Sequence, residues 1–179
     1  LFIQLGMGLS ASWAGNLLLP AGIVLAVAIP LVGRLADRQP THWLVGIGTG
    51  LLALSFALML WVNAATSLWV LAGFIIVGRI GLGFILPSLN LGAMRPLGKA
   101  LIAQGSSTIS FLRMLGGAAG VGICGIVLEW RMAVQAANPA LSAEAARTAA
   151  FHECFVLLTV LCLLATAAAS QLRSTPQGR

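Results

Sequence analysis

A cluster of charge set between two stretches that have none is the feature that most constrains this chain. Gly33-Arg34-Leu35-Ala36-Asp37-Arg38 stands between residues 14–32 and residues 43–62, neither of which contains a charged side chain. Ions avoid hydrocarbon, so charges crowded at this junction hold the adjoining ends of both stretches in water. The remainder of the sequence repeats the pattern, with apolar stretches joined by short polar turns. Only 8% of residues are charged and 59% are hydrophobic, with a mean hydropathy of +1.01. A soluble domain carries about 25% charged residues. The expected fold is all-α, a polytopic bundle of transmembrane helices.

Five spans are predicted, at about residues 14–32, 43–62, 68–90, 106–128 and 151–170. Each is close to the roughly 20 residues that cross a bilayer core. Together they occupy residues 14–172, with 1–13 as the end of a preceding helix and a periplasmic turn, and 173–179 as a cytoplasmic tail. Turns are expected at 63–67 and 95–105, and a longer polar segment at 129–150. Pro20 and Pro30 in the first span and Pro87 in the third remove backbone hydrogen bonds and are expected to kink their helices. Trp13, Trp43, Trp61, Trp69 and Trp130 all fall at span ends, where aromatic rings anchor at the membrane interface.

The net charge of +6 is distributed as a topology signal. Arg34, Arg38, Arg95, Lys99, Arg173 and Arg179 gather on one side, against Arg131 and Arg147 on the other, so the richer side and the C-terminus are expected in the cytoplasm. No basic stripe interleaved with aromatics is present, which excludes nucleic acid as an expected partner and leaves membrane lipid.

Two arginines remain inside spans. Arg79 is at the middle of the third, and Arg113 is about two turns from the cytoplasmic end of the fourth. A charge at such depth costs at least ~2.5 kcal/mol, so it faces a cavity or a partner. Arg79 shares a helix face with Ala72, Gly83 and Asn90; Arg113 shares one with Ser106, Ser110, Gly117, Gly120 and Cys124. Small and polar neighbours mark these as protein-facing sides. No acidic residue lies at matching depth, so the arginines line a substrate or ion pathway, bond carbonyls freed near kinks, or meet acids elsewhere in a longer protein. Gly116-x-x-x-Gly120, with Gly117 between, is a pattern for close helix packing.

Gly120-Val121-Gly122-Ile123-Cys124-Gly125 spells a dinucleotide fingerprint, but it lies inside an apolar span without the preceding strand that the motif needs. His42 and His152 fall near opposite membrane faces and cannot share a metal, although His152-Glu153 at the mouth of the fifth span suits proton handling. Cys124, Cys154 and Cys162 lack metal-ligand spacing and read as small buried apolar residues. No metal or cofactor is expected, and no nucleophile, Walker or metalloprotease motif points to an enzyme.

The residues singled out so far resemble the major facilitator superfamily. Gly33-Arg34-Leu35-Ala36-Asp37-Arg38 is similar to the family's charged cytoplasmic loop in its C-terminal copy, although Gln39-Pro40-Thr41-His42 replaces the usual glycine and further basic residues. Ser10-Ala11, Ala14-Gly15 and Leu18-Leu19-Pro20-x-Gly22 resemble the helix entry in fourteen-span multidrug exporters of the EmrB/QacA type. Gly78-x-x-Gly81-x-Gly83-x-x-x-Pro87, then Phe111-x-Arg113-x-x-Gly116-Gly117-x-x-Gly120, then Phe151-His152-x-x-Phe155, follow in the same order as in those transporters.

The resemblance implies the last five helices of a drug:proton antiporter, a fragment that does not transport by itself. Its implied partners are the N-terminal half of the same transporter and a small lipophilic substrate. Its implied energy source is the proton gradient rather than a cofactor. Gly33, Arg34, Asp37 and Arg38 would act as a conformational latch. Phe74, Phe84, Phe111 and Met114 would offer apolar contacts to lipophilic cations. A non-transporting membrane scaffold is the rival expectation, because a glycine packing face serves that role equally well.

Overall fold

The computed structural model describes residues 10–36, 39–63, 66–94, 97–136 and 142–171. They form five helices: α1 (Ala11–Ala36), α2 (Thr41–Met59), α3 (Leu68–Met94), α4 (Ile102–Ala136) and α5 (Ala143–Gln171), with one 3₁₀ turn at Lys99–Leu101. No strand is present among the described residues. All five helices contain a stretch long and apolar enough to cross a membrane. The fold is an all-helical bundle of a multi-pass membrane protein.

Several helix ends depart from the predicted spans, and three of these departures change the reading. Gly33 and Arg34 belong to the last turn of α1 rather than to a loop, since Arg, Leu and Ala propagate a helix well and an arginine suits its C-terminal dipole. Asp37 and Arg38 lie outside the described residues. The loop expected through Gly105 ends early, because α4 begins at Ile102. The polar segment expected at 129–150 is largely helix: α4 runs on to Ala136 and α5 starts at Ala143. Hydropathy marks where a helix leaves the bilayer, but backbone hydrogen bonding continues wherever good helix formers do. Ser142 sets the start of α5, its hydroxyl accepting from the Ala145 amide at 3.2 Å in an N-cap.

Pro20 and Pro30 sit within α1 and Pro87 within α3, and both helices are continuous through them. Among the tryptophans with described side chains, Trp43, Trp61, Trp69 and Trp130 are all exposed. Trp61 and Trp69 flank the turn between α2 and α3, where the Thr66 amide donates to the Asn63 carbonyl at 2.9 Å.

Helix α3 packs against α1 and α2, α2 against α5 and α5 against α4, so the helices succeed one another in space as α1, α3, α2, α5, α4 rather than in chain order. Met59, Val62 and Leu71 form a buried apolar cluster, with Phe74, Ile75 and Phe155 around it. Helix α4 has no buried residue, and the stretch from Phe111 to Ala119 is exposed throughout.

Candidate functional site

The site begins with a seam of glycines. Gly48 of α2 and Gly81 of α3 face each other so closely that a Cβ on Gly48 would lie 2.7 Å from the Gly81 carbonyl oxygen, and one on Gly81 would lie 2.6 Å from that of Gly48. Along the same helix, a Cβ on Gly78 would meet the Ser55 hydroxyl at 2.7 Å, one on Gly83 the Ala28 methyl at 2.6 Å, and one on Gly92 the Thr41 side chain at 2.5 Å. Small residues at these positions let helix backbones approach, and dispersion contacts then replace contacts with lipid. Ser55 adds a bond across the seam, its hydroxyl donating to the Phe74 carbonyl at 2.7 Å.

Where the helices diverge from this seam they leave a chamber of about 410 Å³ between α1, α2, α3 and α5. Leu18, Leu52, Phe56, Met59, Leu82 and Phe155 wall it, and Arg79 is the charged residue that lines it. Phe56 and Phe155 stack with ring centroids 6.5 Å apart and an interplanar angle of 22°. Arg79 is half-buried and is the twelfth of 27 residues in α3, so it lies about 17 Å along the axis from the helix start. No acidic side chain among the described residues pairs with it. On the helix face that carries Arg79, Ala72 and Gly83 are buried and Asn90 is half-buried.

The fourth helix is different. Arg113 is exposed and does not line the chamber; Gly116 and Gly117 are also exposed, and Gly120 is half-buried. A Cβ on Gly116, Gly117 or Gly120 would meet nothing within 4 Å. The packing expected there has no partner among the described residues of this chain. Ser106, Ser110 and Cys124 on the Arg113 face are half-buried. Phe111 and Met114 are exposed on α4, and Phe74 and Phe84 are half-buried; none of the four lines the chamber.

Sequence reasoning missed the aromatic pair Phe56 and Phe155, which come from helices distant in sequence and carry no local signal. It also missed a polar tie at the helix ends near Trp61 and Trp130. Arg131 of α4 and Glu153 of α5 form a two-pronged ion pair, and Gln135 Nε2 donates to the same carboxylate at 3.0 Å. The Arg131 guanidinium also lies 5.4 Å from the centre of the Trp130 ring. His152 Nε2 donates to the Val62 carbonyl at 2.9 Å, so His152 ties α5 to the chain after α2. Arginine and glutamate on separate helices could be paired from sequence only by knowing how α4 and α5 meet.

Comparison with known proteins agrees with the architecture. The sequence profile of the Major Facilitator Superfamily matches residues 1–121. The chain is similar to the multidrug transporter protein MdtP of Bacillus subtilis (strain 168), with 26% identity over 130 residues. That match covers 73% of this chain and 24% of the relative, so the chain corresponds to about a quarter of that protein's length. With most of its helical bundle inside the matched region, the chain belongs to the major facilitator superfamily.

Proposed function

We propose that this chain is part of the C-terminal half of a transporter that exports lipophilic small molecules, drugs among them, across the bacterial cytoplasmic membrane in exchange for protons. The observation that carries this reading is the apolar chamber with Arg79 at mid-helix depth. Its volume falls in the roughly 300–1,000 Å³ range of small-molecule sites, and its mix of apolar walls and one strong polar group is the usual composition of such sites. Family membership and the likeness to a multidrug transporter support the same reading. A membrane scaffold has no use for a charge held in a ligand-sized hollow at a cost of at least ~2.5 kcal/mol.

In this reading the two halves of the transporter rock around a central path. The glycine seam of α3 holds α1, α2 and α3 as one rigid piece, and Gly33, Arg34, Asp37 and Arg38 latch the cytoplasmic ends. The exposed stretch of α4 from Phe111 to Ala119, which carries Arg113, is the surface that meets the other half. The coupling acids belong to that other half, and Arg34 marks the cytoplasmic side by the positive-inside rule.

The test is flux in everted membrane vesicles that contain the full-length gene product. An imposed proton gradient should drive uptake of a lipophilic dye, and collapsing the gradient should stop it. A correctly inserted protein that moves no lipophilic compound with or without a gradient would overturn the proposal.

A further inference from the structure

The charge of the chamber carries its own consequence for what binds there. Arg79 offers five N–H donors and no acceptor. The Ser55 hydroxyl, which also lines the chamber, gives its proton to the Phe74 carbonyl, so toward a ligand it offers only an uncharged acceptor oxygen. Backbone carbonyls along α2 and α3 accept helical hydrogen bonds and carry no formal charge. The formal charge that the chamber presents is therefore that of Arg79, set against apolar walls where low dielectric strengthens both attraction and repulsion.

From this juxtaposition we infer that the chamber binds a lipophilic organic anion, its acidic group on Arg79 and its apolar body along Leu52, Leu82 and the stacked Phe56–Phe155 pair. A carboxylate or sulfonate matches the flat guanidinium fork with two parallel bonds, which a neutral carbonyl cannot do. A cationic drug placed here meets a like charge at short range. Depth excludes a phospholipid headgroup as the occupant: Arg79 lies about 17 Å from the start of α3, well inside a hydrocarbon core about 30 Å thick, while headgroups stay at its surfaces. The inference rests on the exporter reading for its setting and sharpens it by naming the substrate class at this site.

Three probes matched in shape and differing in charge test it: 4-butylbenzoate, 4-butylbenzamide and 4-butylbenzylamine. Radiolabelled 4-butylbenzoate is bound to the purified full-length protein in lipid nanodiscs, with empty discs subtracted, and the other two compete. The benzoate should bind about tenfold or more tightly than the benzylamine, the size of one charged hydrogen bond. In Arg79→Gln that preference should fall to about one, and Arg79→Lys should keep part of it, since the charge remains but the fork is lost. Leu82→Trp keeps Arg79 and fills the chamber, so it should abolish saturable binding of the benzoate.

Equal affinity of the wild-type protein for benzoate and benzylamine would overturn the inference. So would a preference that survives in a monodisperse Arg79→Gln protein, or saturable binding that survives Leu82→Trp. An acidic side chain from elsewhere in the protein, already paired with Arg79, would produce the first of these. Export of dye with no Arg79-dependent charge preference removes the anion site and leaves the exporter. Arg79-dependent binding in a protein that exports nothing does the reverse.

Discussion

Replacing Gly81 by alanine should lower the stability of the bundle by about 2 kcal/mol. The added methyl would lie 2.6 Å from the Gly48 carbonyl oxygen and 3.0 Å from the Leu52 amide nitrogen, against an ordinary contact of 3.4 Å or more. The shortfall of about 0.8 Å is toward backbone, which cannot swing aside as a flexible side chain would. The two helix axes must separate instead, and the contacts of the whole seam loosen with them. Overpacking of this kind costs typically 1–3 kcal/mol, and backbone obstruction places Gly81 near 3. Alanine is the better helix former by about 1 kcal/mol, which offsets part of the loss.

The double change Gly48→Ala with Gly81→Ala decides whether this geometry is right. Either methyl alone forces the same separation, so the second finds room already made. The pair should cost about as much as one single change, a coupling of about 2 kcal/mol where independent sites would add. Gly73→Ala in the same helix, exposed and with nothing within 4 Å of its Cβ, is the control and should be neutral or slightly stabilising. Unfolding of the full-length protein by SDS titration, followed by far-ultraviolet circular dichroism, reads all four. Additive losses, or a Gly81→Ala protein as stable as Gly73→Ala, would refute the account of the seam.

Three further predictions come from polar contacts. Ser88 is fully buried in α3 and its hydroxyl has no hydrogen-bond partner among the described residues, so Ser88→Ala should leave stability unchanged or raise it by about 1 kcal/mol in the same titration; a clear loss would mean the hydroxyl has an acceptor elsewhere in the protein. His152→Ala strips the Val62 carbonyl of its donor in a position where Val62 has no exposure, and should cost about 1–3 kcal/mol; a neutral result would show that water reaches that carbonyl. Glu153→Gln and Arg131→Glu should each loosen α4 from α5, seen as faster hydrogen exchange at the ends of both helices, and the charge-exchanged pair Arg131→Glu with Glu153→Arg should recover protection that neither single change has.

Much of this fold was open to reading because the bilayer imposes one rule on every stretch of the chain. Backbone groups in hydrocarbon must bond within their own helix, so charge-free runs such as residues 43–62 declare themselves. The rule stops at the membrane surface. Around residues 129–150 polar side chains mask the end of α4 and the start of α5, and only the serine cap at Ser142 and the alanine-rich start of α5 record them. Arg79 was legible as a charge that must face something, because its cost at that depth is high whatever surrounds it. What it faces was not legible. The chamber walls come from α1, α2, α3 and α5, and no periodicity within one helix reports which other helix stands opposite.

The glycines show the same limit from the other direction. Gly116-x-x-x-Gly120 on α4 spells a packing motif, yet alanine there would meet nothing within 4 Å among the described residues. Gly78, Gly81 and Gly83 on α3 carry a less regular spacing and make the tight approaches to Ser55, Gly48 and Ala28. Glycine spacing states that a backbone can come close on one face; it does not state that a neighbour has. On α3 the neighbours are α2, which precedes it directly, and α1, which reaches it across the bundle. On α4 the glycine face, with Arg113 one turn away, is bare across the whole stretch from Phe111 to Ala119. A helix that spends a charge and three glycines on one region is shaped for a close and partly polar contact. In the proposed transporter that contact is with the other half, and α4 is where the rigid piece built on the α3 seam slides against it.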